Sequence, residues 1–353
     1  MTLKQQLFRA ASMVGAVNGV AASSWRRRRL MVLCYHGISM ADEHEWDPGL
    51  YMAPNTFRAR LEFLRNHGYN VLSLDDAMCR LNEGTLPQQS VAITFDDGAH
   101  DFAARAVPLL REFGFPATLY LTTYYSDVRL PVFDTTLSYI LWRGRLHAGS
   151  VASLIGHESP LCVRTDVERG VTVAAIRHHA AARGLSAFEK DALLEALARE
   201  LGVNMDAIRR DLTLHIMATE TVSALPAPLI DVQLHTHRHR TPDDELQFRR
   251  EIADNRNRIR DLLPDGRELT HFCYPSGVYA GDFLPWLREE GVRYATTCIP
   301  DIIDVSSDPL LLPRFVDTEH QPIETFAAWV SGLASLLPRR HVYRLNQALL
   351  AES

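Results

Sequence analysis

The chain has 353 residues and a formal net charge of −6; hydrophobic residues make up 46% of it and charged residues 23%. A chain of this length can bury a large core, and this composition is that of an ordinary globular protein. A protein that binds nucleic-acid phosphates needs a basic face, so the acidic balance argues against a nucleic-acid partner.

The cysteines give an expectation about the compartment. There are five of them: Cys34, Cys79, Cys162, Cys273 and Cys298. Their number is odd and no two have a CxxC spacing. This pattern predicts buried free thiols in a reducing compartment, and therefore a cytoplasmic protein.

Residues 1–29 form a separate N-terminal helical and basic segment, in which a mildly apolar stretch is followed by Trp25 and four arginines. A secretory signal carries its positive charge before the apolar stretch, and this stretch is short and polar for a membrane span. Three interpretations stay open: a surface helix, an amphipathic helix on an anionic membrane face, and a signal or anchor. We expect a cytoplasmic protein that could contact the inner membrane through this segment.

Strand and helix patterns alternate through the first third of the chain. Continuous apolar runs predict buried strands at 30–35, 91–95 and 117–121, with a shorter strand at 71–74. Helical spacing predicts helices at 55–66, 75–81 and 102–113. We expect Asn55 to cap the first of these helices, and Pro108 to kink the last or delay its start. The alternation is typical of a parallel sheet covered by helices.

The alternation stops at about residue 131 and resumes at about residue 228. The residues between show no clear strand but a strong helix at 187–201, so we interpret them as a helical insertion. A strand at 229–234 follows, then a helix at 242–263 capped by Thr241, a strand reaching Tyr274, a helix at 281–290 and a strand at 293–297. The predicted fold class is α/β: a barrel or sheet of βα units over 30–340, with the insertion at 131–228 and a C-terminal helix at 341–353.

The first polar motif is the segment 94–98, in which Asp96 and Asp97 directly follow a buried strand. Like charges held close together raise one pKa unless a cation neutralises them. Gly98 permits a tight turn that would aim both carboxylates outward. A plain Asp-Asp-Gly turn explains the motif equally well.

The second polar motif is the segment 235–239, directly after the strand that ends at Leu234. His235 and His239 are four residues apart, so on a helical turn both imidazoles would share one face and could bind one divalent cation. His237 would then point elsewhere. Two imidazoles and one carboxylate would leave a coordination position for water or substrate. The alternative is a solvated, His-rich loop.

The third polar motif is the segment 272–277, again at a strand end. Pro275 and Gly277 shape a loop whose backbone N–H groups could approach a ligand. Taken alone, an ordinary turn is the better interpretation of this motif.

In this order, the three motifs resemble the first three motifs of the polysaccharide deacetylase family, also called the NodB-homology or carbohydrate esterase 4 group. Tyr35-His36 and Leu312-Pro313-Arg314 are similar to a branch of that family found in bacterial glycan assembly. The resemblance covers about residues 30–315, less the insertion. It implies a distorted (β/α) barrel and a hydrolase that removes an N-acyl group, above all N-acetyl, from an amino sugar of a bacterial glycan or its precursor.

The resemblance also implies roles for single residues. A divalent metal, usually zinc in this family, would be bound by Asp97, His235 and His239. Asp96 would be the general base that activates water. The oxyanion would lie among backbone N–H groups around Tyr274, Pro275, Ser276 and Gly277.

Two positions depart from the family pattern. Cys273 stands where the family often has an arginine that pairs with the catalytic aspartate, and Arg314 is the candidate replacement. The late Leu-x-His motif, whose histidine is the general acid, has no evident match. We expect His36 in this role rather than His320, because His36 directly follows an apolar strand and should emerge beside Asp96.

Two other functions remain open at this point. One is a deformylase or other amidase that acts on a lipid- or nucleotide-linked sugar. The other is a catalytically weak homologue that binds glycan. The missing late histidine slightly favours the glycan-binding homologue. Asp96 argues against that function, because glycan binding does not need a free base. In each case the expected partner is a carbohydrate.

Overall fold

The structure is a computed structural model, and it describes residues 3–337. The strands are β1 (Met31–Tyr35), β2 (Gly37–Ile38), β3 (Tyr51–Met52), β4 (Asn70–Leu72), β5 (Ser90–Phe95), β6 (Ala117–Leu121), β7 (Ile230–Leu234), β8 (His271–Cys273), β9 (Tyr294–Thr296) and β10 (Phe315–Val316).

The helices up to the middle of the chain are α1 (Leu3–Met13), α2 (Ala16–Ala21), α3 (Ser24–Arg27), α4 (Glu43–Trp46), α5 (Pro54–Asn66), α6 (Leu74–Glu83), α7 (Val107–Phe113), α8 (Tyr124–Val128) and α9 (Phe133–Arg143). The remaining ones are α10 (Asp166–Ala182), α11 (Ala187–Glu200), α12 (Met205–Arg210), α13 (Thr219–Ser223), α14 (Glu245–Leu262), α15 (Phe283–Glu289) and α16 (Ile323–Val330).

Eight parallel strands form the central sheet. Their order is β10-β1-β5-β6-β7-β8-β9, and β4 pairs with the first half of β5. A single parallel bridge between Thr296 and Leu312 connects the β9 edge to the segment leading into β10. The sheet is therefore curled into a half-barrel with its two edges close together. The pair β2–β3 forms a small separate sheet.

The apolar strands of this sheet are buried over their whole length. Every residue of β1, β5 and β6 is buried, because the barrel interior lies on one face of the sheet and a layer of helices on the other. A parallel sheet covered on both faces requires continuous apolar runs. Such runs made these strands predictable from the sequence.

The segment between β6 and β7 is helical and packs around its own apolar cluster, which includes Leu137, Ile140, Leu194 and Leu197. Its last part, residues 214–217, is attached to the loop that follows β5. The backbone N–H of His100 donates to the carbonyl of His215 (2.8 Å), and that of Met217 donates to the carbonyl of Gly98 (2.9 Å). The insertion thereby becomes a wall beside the ends of the barrel strands.

The N-terminal segment packs on the barrel. Phe8 of α1 is buried. Arg26 is completely buried as well, and its guanidinium donates to the carbonyls of Ser90 (2.8 Å), Val330 (3.1 Å) and Arg29. One of the four arginines of the basic segment therefore fixes α3 to the barrel through these hydrogen bonds. Within residues 3–337, no helix combines the length and apolarity needed to cross a membrane.

Several predicted helix boundaries are wrong. Helix α5 begins at Pro54, with Ala53 as N-cap instead of Asn55, because proline is suited to the first helical position. Helix α14 begins at Glu245, where the Asp244 side chain accepts from the N–H of Gln247 (2.9 Å), so Thr241 is not its cap.

Pro108 produces a local change in the helix that contains it. Residues 102–106 form a π-helical turn before α7, as expected where proline removes a backbone donor. The C-terminal helix expected at 341–353 lies outside the described residues.

Candidate active site

The polar motifs meet because the strands that carry them are parallel. Asp96 and Asp97 follow β5, His235 follows β7, Tyr274 follows β8 and His36 follows β1. The carboxyl ends of parallel strands lie on the same rim of a barrel, which is where α/β barrels build their sites.

Asp97, His235 and His239 form a tight cluster on this rim. The Nε2 atom of His235 and that of His239 each lie 3.1 Å from the same oxygen, Oδ1 of Asp97. The two imidazole rings are 5.0 Å apart. Ligand bonds of about 2.1 Å in a tetrahedral zinc site place neighbouring ligand atoms about 3.4 Å apart. The observed separations therefore fit ligands of one small cation.

The cluster does not form in the way the sequence suggested. Residues 235–239 are a loop, not a helical turn. Thr236 (φ 61°) and His239 (φ 54°) adopt left-handed backbone conformations, which non-glycine residues seldom do. These two reversals bring His239 back over His235. His237 points away and its Nδ1 hydrogen-bonds to the Thr123 hydroxyl (2.9 Å).

The donor chemistry of the cluster calls for a cation. Nδ1 of His235 lies 2.9 Å from the carbonyl oxygen of Cys273, so this nitrogen carries a hydrogen. In a neutral imidazole the lone pair of Nε2 then faces the Asp97 carboxylate. That arrangement is repulsive unless a proton or a metal ion lies between them. The three residues therefore fit a divalent cation and leave a coordination position for water or substrate.

The pKa shifts of Asp97 and His235 also indicate that this cluster needs a positive charge. Burial opposes ionisation of Asp97, yet the two histidines outweigh it and hold the pKa of this carboxyl well below its ordinary value. Burial likewise opposes protonation of His235, and its hydrogen bond to Asp97 overcomes this and raises the imidazole pKa. A bound divalent ion would take over the role of these protons.

Asn255 of α14 positions the first histidine, and the sequence analysis did not identify it. Its Oδ1 accepts from the backbone N–H of His235 (3.0 Å), and its Nδ2 donates to the Leu121 carbonyl and the Thr123 hydroxyl (both 3.0 Å). Asn255 is completely buried. It thus ties the ends of β6 and β7 together at the point where His235 begins.

Glu251 lies one helical turn before Asn255 and holds the rest of the loop formed by residues 235–240. Its carboxylate accepts from the backbone N–H of Arg238 (2.8 Å) and from the guanidinium of Arg240 (2.8 Å), although the Glu251 side chain is only 1% exposed. Glu251 and Asn255 interrupt the buried apolar face of α14. That break at i and i+4 was the available sequence signal for both residues.

Asp96 is paired with Arg314 in the barrel interior. The guanidinium donates to Oδ1 (2.7 Å) and Oδ2 (2.8 Å) of Asp96, and both side chains are at most 3% exposed. Arg314 also donates to Thr94 Oγ1 (3.0 Å). Burial opposes ionisation of Asp96, but the guanidinium prevails and keeps the pKa of the carboxyl well below its ordinary value. Asp96 is therefore an anion throughout the neutral range.

The two candidate histidines for the acid role lie in different surroundings. His36 is half-buried, and its Nε2 is 3.8 Å from Oδ2 of Asp96. His320 is exposed in the loop after β10, and among the described residues no hydrogen bond or ion pair connects it to the site. Proximity therefore favours His36.

The loop after β8 offers fewer donors than expected. The N–H of Tyr274 donates to the Thr296 carbonyl (3.3 Å), and that of Gly277 donates to the Tyr274 carbonyl (2.9 Å). Pro275 has no N–H. Of these four residues, only exposed Ser276 (φ 56°) retains a backbone N–H without an acceptor within residues 3–337.

A cleft of about 380 Å³ opens beside Asp97 and His239. Tyr51 contributes to its lining, and so do Asp134 and Arg177 of the helical insertion. The mixed polar and aromatic lining suits a sugar-sized ligand.

A curled (β/α) half-barrel with a two-histidine, one-aspartate cluster on its rim defines a class of barrel proteins with a candidate cation site at the strand ends. Comparisons with known proteins show which family the chain resembles. The family model for polysaccharide deacetylases matches residues 83–174, which include Asp96 and Asp97. YxkH of Bacillus subtilis, assigned to the same family, is 32% identical over 94 residues, or 26% of this chain and 32% of YxkH.

Other matches agree. The poly-β-1,6-N-acetyl-D-glucosamine N-deacetylase of Escherichia coli K12 is 27% identical over 99 residues, 28% of this chain and 14% of that enzyme. The chain therefore spans a third or less of these curated relatives. The fold matches the deacetylase PplD of Streptococcus pyogenes, with a TM-score of 0.57 at 16% identity over 88% of this chain and 99% of PplD.

IcaB of Ammonifex degensii has the same fold, with a TM-score of 0.52 at 18% identity over 86% of this chain and 97% of IcaB. Residues 83–174 therefore resemble the polysaccharide deacetylase family, as the motifs predicted. The predicted distorted (β/α) barrel is confirmed. The proposed boundaries of the N-terminal, inserted and C-terminal segments stay a prediction.

Proposed function

We propose that this protein is a metal-dependent hydrolase that removes the N-acetyl group from an amino sugar of a bacterial glycan or its precursor. The observation that carries the proposal is the cluster of Asp97, His235 and His239 beside an ionised, buried Asp96. The name of the Escherichia coli relative supports the choice of an N-acetylated sugar.

The cluster would hold the cation through Asp97, His235 and His239, with zinc as the expected ion. A divalent cation bound there supplies Lewis-acid polarisation of the acyl carbonyl and makes water more acidic. Asp96 takes a proton from the attacking water, since the guanidinium of Arg314 keeps it ionised.

Protonation of the leaving nitrogen is the other step that the chain must provide. His36 lies close enough to Asp96 to exchange a proton with it after a small movement, or through a water molecule. The free N–H of Ser276 is the backbone donor available to the oxyanion in the loop after β8. Tyr51, Asp134 and Arg177 would contact the sugar in the cleft.

We also propose a cytoplasmic location with peripheral membrane contact through α1. This helix buries Phe8 but leaves Leu7 and Met13 on the surface, and exposed apolar side chains of this kind can insert between lipid headgroups. Co-flotation with anionic vesicles should occur for the full chain and weaken in a Leu7→Ser/Met13→Ser variant. Equal flotation of both would contradict this contact.

Metal analysis joined to acetate release tests the proposed function. We expect one tightly bound divalent ion per chain, and acetate from N-acetylated glucosamine oligomers or from lipid- or nucleotide-linked N-acetylated sugars. His235→Ala and His239→Ala should each lose the ion and the activity. His237→Ala is the matched control, because His237 lies in the same loop but contacts Thr123 instead of Asp97.

Asp96→Asn separates metal binding from catalysis. This variant should keep the ion and lose turnover by roughly 10²–10⁴-fold, which is the usual contribution of general acid–base catalysis. A His235→Ala/His239→Ala protein that still binds stoichiometric zinc would show that the ligands are misassigned. Unchanged turnover in Asp96→Asn would move the base role to another residue.

A further inference from the structure

His215 belongs to the helical insertion, yet its side chain lines the cleft beside Asp97 and His239. None of the sequence motifs includes it, and the proposed hydrolysis assigns it no task. Only 5% of the residue is exposed. An imidazole buried to this degree needs a partner for each ring nitrogen, because burying an unsatisfied polar group is unfavourable. The contacts of the two nitrogens therefore indicate what His215 does.

The segment that carries His215 is attached to the loop after β5. The carbonyl oxygen of His215 accepts from the backbone N–H of His100 (2.8 Å), and the next residue, Ile216, forms an antiparallel bridge with Ala99. Both partners in this loop lie directly after the segment that contains Asp97. The loop that supplies a proposed metal ligand thus also fixes the position of His215.

The backbone just before His215 is strained. Leu212 (φ 51°) and Leu214 (φ 60°) both adopt left-handed conformations, which residues with a side chain seldom do. The carbonyl of Leu214 accepts from the N–H of Val132 (3.0 Å), which holds the turn in place. Strain of this kind persists only where surrounding contacts enforce it, and it is concentrated at binding and catalytic sites. Here the strained turn leads directly into a residue that lines the cleft.

The two ring nitrogens of His215 differ in their surroundings. Nδ1 lies 2.8 Å from the carbonyl oxygen of Thr213, so this nitrogen carries a hydrogen. Burial lowers the pKa of the imidazole; the ring is therefore neutral near pH 7, and Nε2 keeps a lone pair. Within residues 3–337, Nε2 has no hydrogen-bond partner and, unlike Nδ1 of His100, it is not enclosed by protein. This acceptor atom therefore reaches the water of the cleft.

We propose that Nε2 of His215 accepts a hydrogen bond from a hydroxyl group of the bound sugar, and that His215 thereby selects substrates that carry this hydroxyl. The inference rests on the proposed function, which places an amino sugar in the cleft. The acidic groups of the cleft have other partners, since Asp97 faces two imidazoles and Asp134 accepts from Arg177 (2.7 Å). His215 adds a neutral acceptor held by rigid backbone. A sugar without the hydroxyl would leave that acceptor unpaired, which is how a polar site rejects an analogue.

The test measures how tightly the full-length, zinc-loaded Asp96→Asn protein, whose turnover is suppressed, binds an N-acetylglucosamine oligomer and its monodeoxy analogues. Adding His215→Ala should weaken binding of the oligomer roughly 3–10-fold, the usual effect of one neutral hydrogen bond. His215→Gln should recover most of this loss, because its side-chain carbonyl can accept in place of Nε2. One monodeoxy analogue should bind equally with and without His215→Ala. His178→Ala is the matched control: His178 is an exposed histidine of the same insertion, on α10, and its loss should change nothing.

The outcomes separate this inference from the proposed function. If the protein with Asp96 intact binds the oligomer but releases no acetate, the proposed hydrolysis fails, and the monodeoxy analogues still decide the role of His215. The inference is wrong if His215→Ala binds the oligomer as tightly as before, or if the zinc-loaded protein binds no sugar of the set. It is also wrong if His215→Ala weakens binding of the oligomer and of every analogue by the same factor, because that result would reveal a purely structural histidine.

Discussion

The buried pair of Asp96 and Arg314 should be strongly coupled in stability. Arg314 makes contacts along its whole head group, with the Thr297 carbonyl (3.1 Å), the Thr94 hydroxyl, both oxygens of Asp96 and the Cys273 sulfur. We therefore consider Arg314→Met and Asp96→Asn, singly and together. Each single substitution leaves the partner with an uncompensated charge in the barrel interior.

The expected size follows from this burial. Removing one partner of a buried ion pair costs about 3–5 kcal/mol, because the remaining charge is desolvated without compensation. The double variant buries no charge and mainly leaves the Thr297 carbonyl without its donor, at about 1–3 kcal/mol. The two single losses should thus exceed the double loss, and the coupling free energy should be about 3 kcal/mol or more.

Urea unfolding in the presence of a chelator measures this cycle without a contribution from bound metal. The control cycle is Arg58→Met with Glu112→Gln. That pair has the same two-pronged geometry (2.5 and 2.7 Å), but it lies on the surface, where ion pairs contribute little. A coupling of Asp96 with Arg314 no larger than that of the surface pair would refute the reasoning.

Three further outcomes are expected. Asn255→Ala should weaken metal binding by roughly 10–100-fold, as loss of a group that orients a ligand usually does; unchanged affinity in a metal titration would show that His235 is oriented by other contacts. Burial raises the pKa of Asp101 to about 8, so the folded protein keeps a proton that the unfolded chain loses above its ordinary value of 3.8. Stability should therefore fall by about 1.4 kcal/mol per pH unit through this group as pH rises between these values. Asp101→Asn should remove that slope in urea unfolding at pH 5, 6 and 7, and identical slopes in both proteins would contradict it. His36→Ala should lose the high-pH limb of the kcat profile while His320→Ala keeps it, and a fully active, metal-loaded His36→Ala protein would exclude His36 as the acid.

The sequence predicted the strands of the barrel well for a physical reason. A parallel strand buried on both faces must be apolar throughout, so β6 coincides with the run at 117–121. The short pair β2–β3 was missed because two residues carry no periodic signal. The start of α14 was misplaced because Thr241 and Asp244 are both acceptable caps, and only the path of the preceding loop decides between them.

The site was only partly predictable. The residues at strand ends followed from their position, but the route by which His239 reaches Asp97 did not. That route depends on a left-handed backbone conformation at Thr236. Such a conformation is unfavourable for a β-branched residue, and no local sequence pattern predicts it here. Asn255 was missed because it lies inside α14 and belongs to none of the three polar motifs. Its polar side chain acts across the barrel wall, on the end of a strand twenty residues earlier.

The two adjacent aspartates have different partners, and this difference explains how both can stay ionised. Asp96 is neutralised by a permanent cation, the guanidinium of Arg314, which directly precedes β10, two strands along the sheet from β5. Asp97 faces two imidazoles that are neutral when they serve as ligands, so its charge is left for an exchangeable ion. Cys273 belongs to the same arrangement, because its sulfur lies 3.0 Å from the guanidinium and a second arginine at this position would collide with the first. An arginine at 273 and one at 314 are thus alternative ways to supply the same charge, and this chain uses the second.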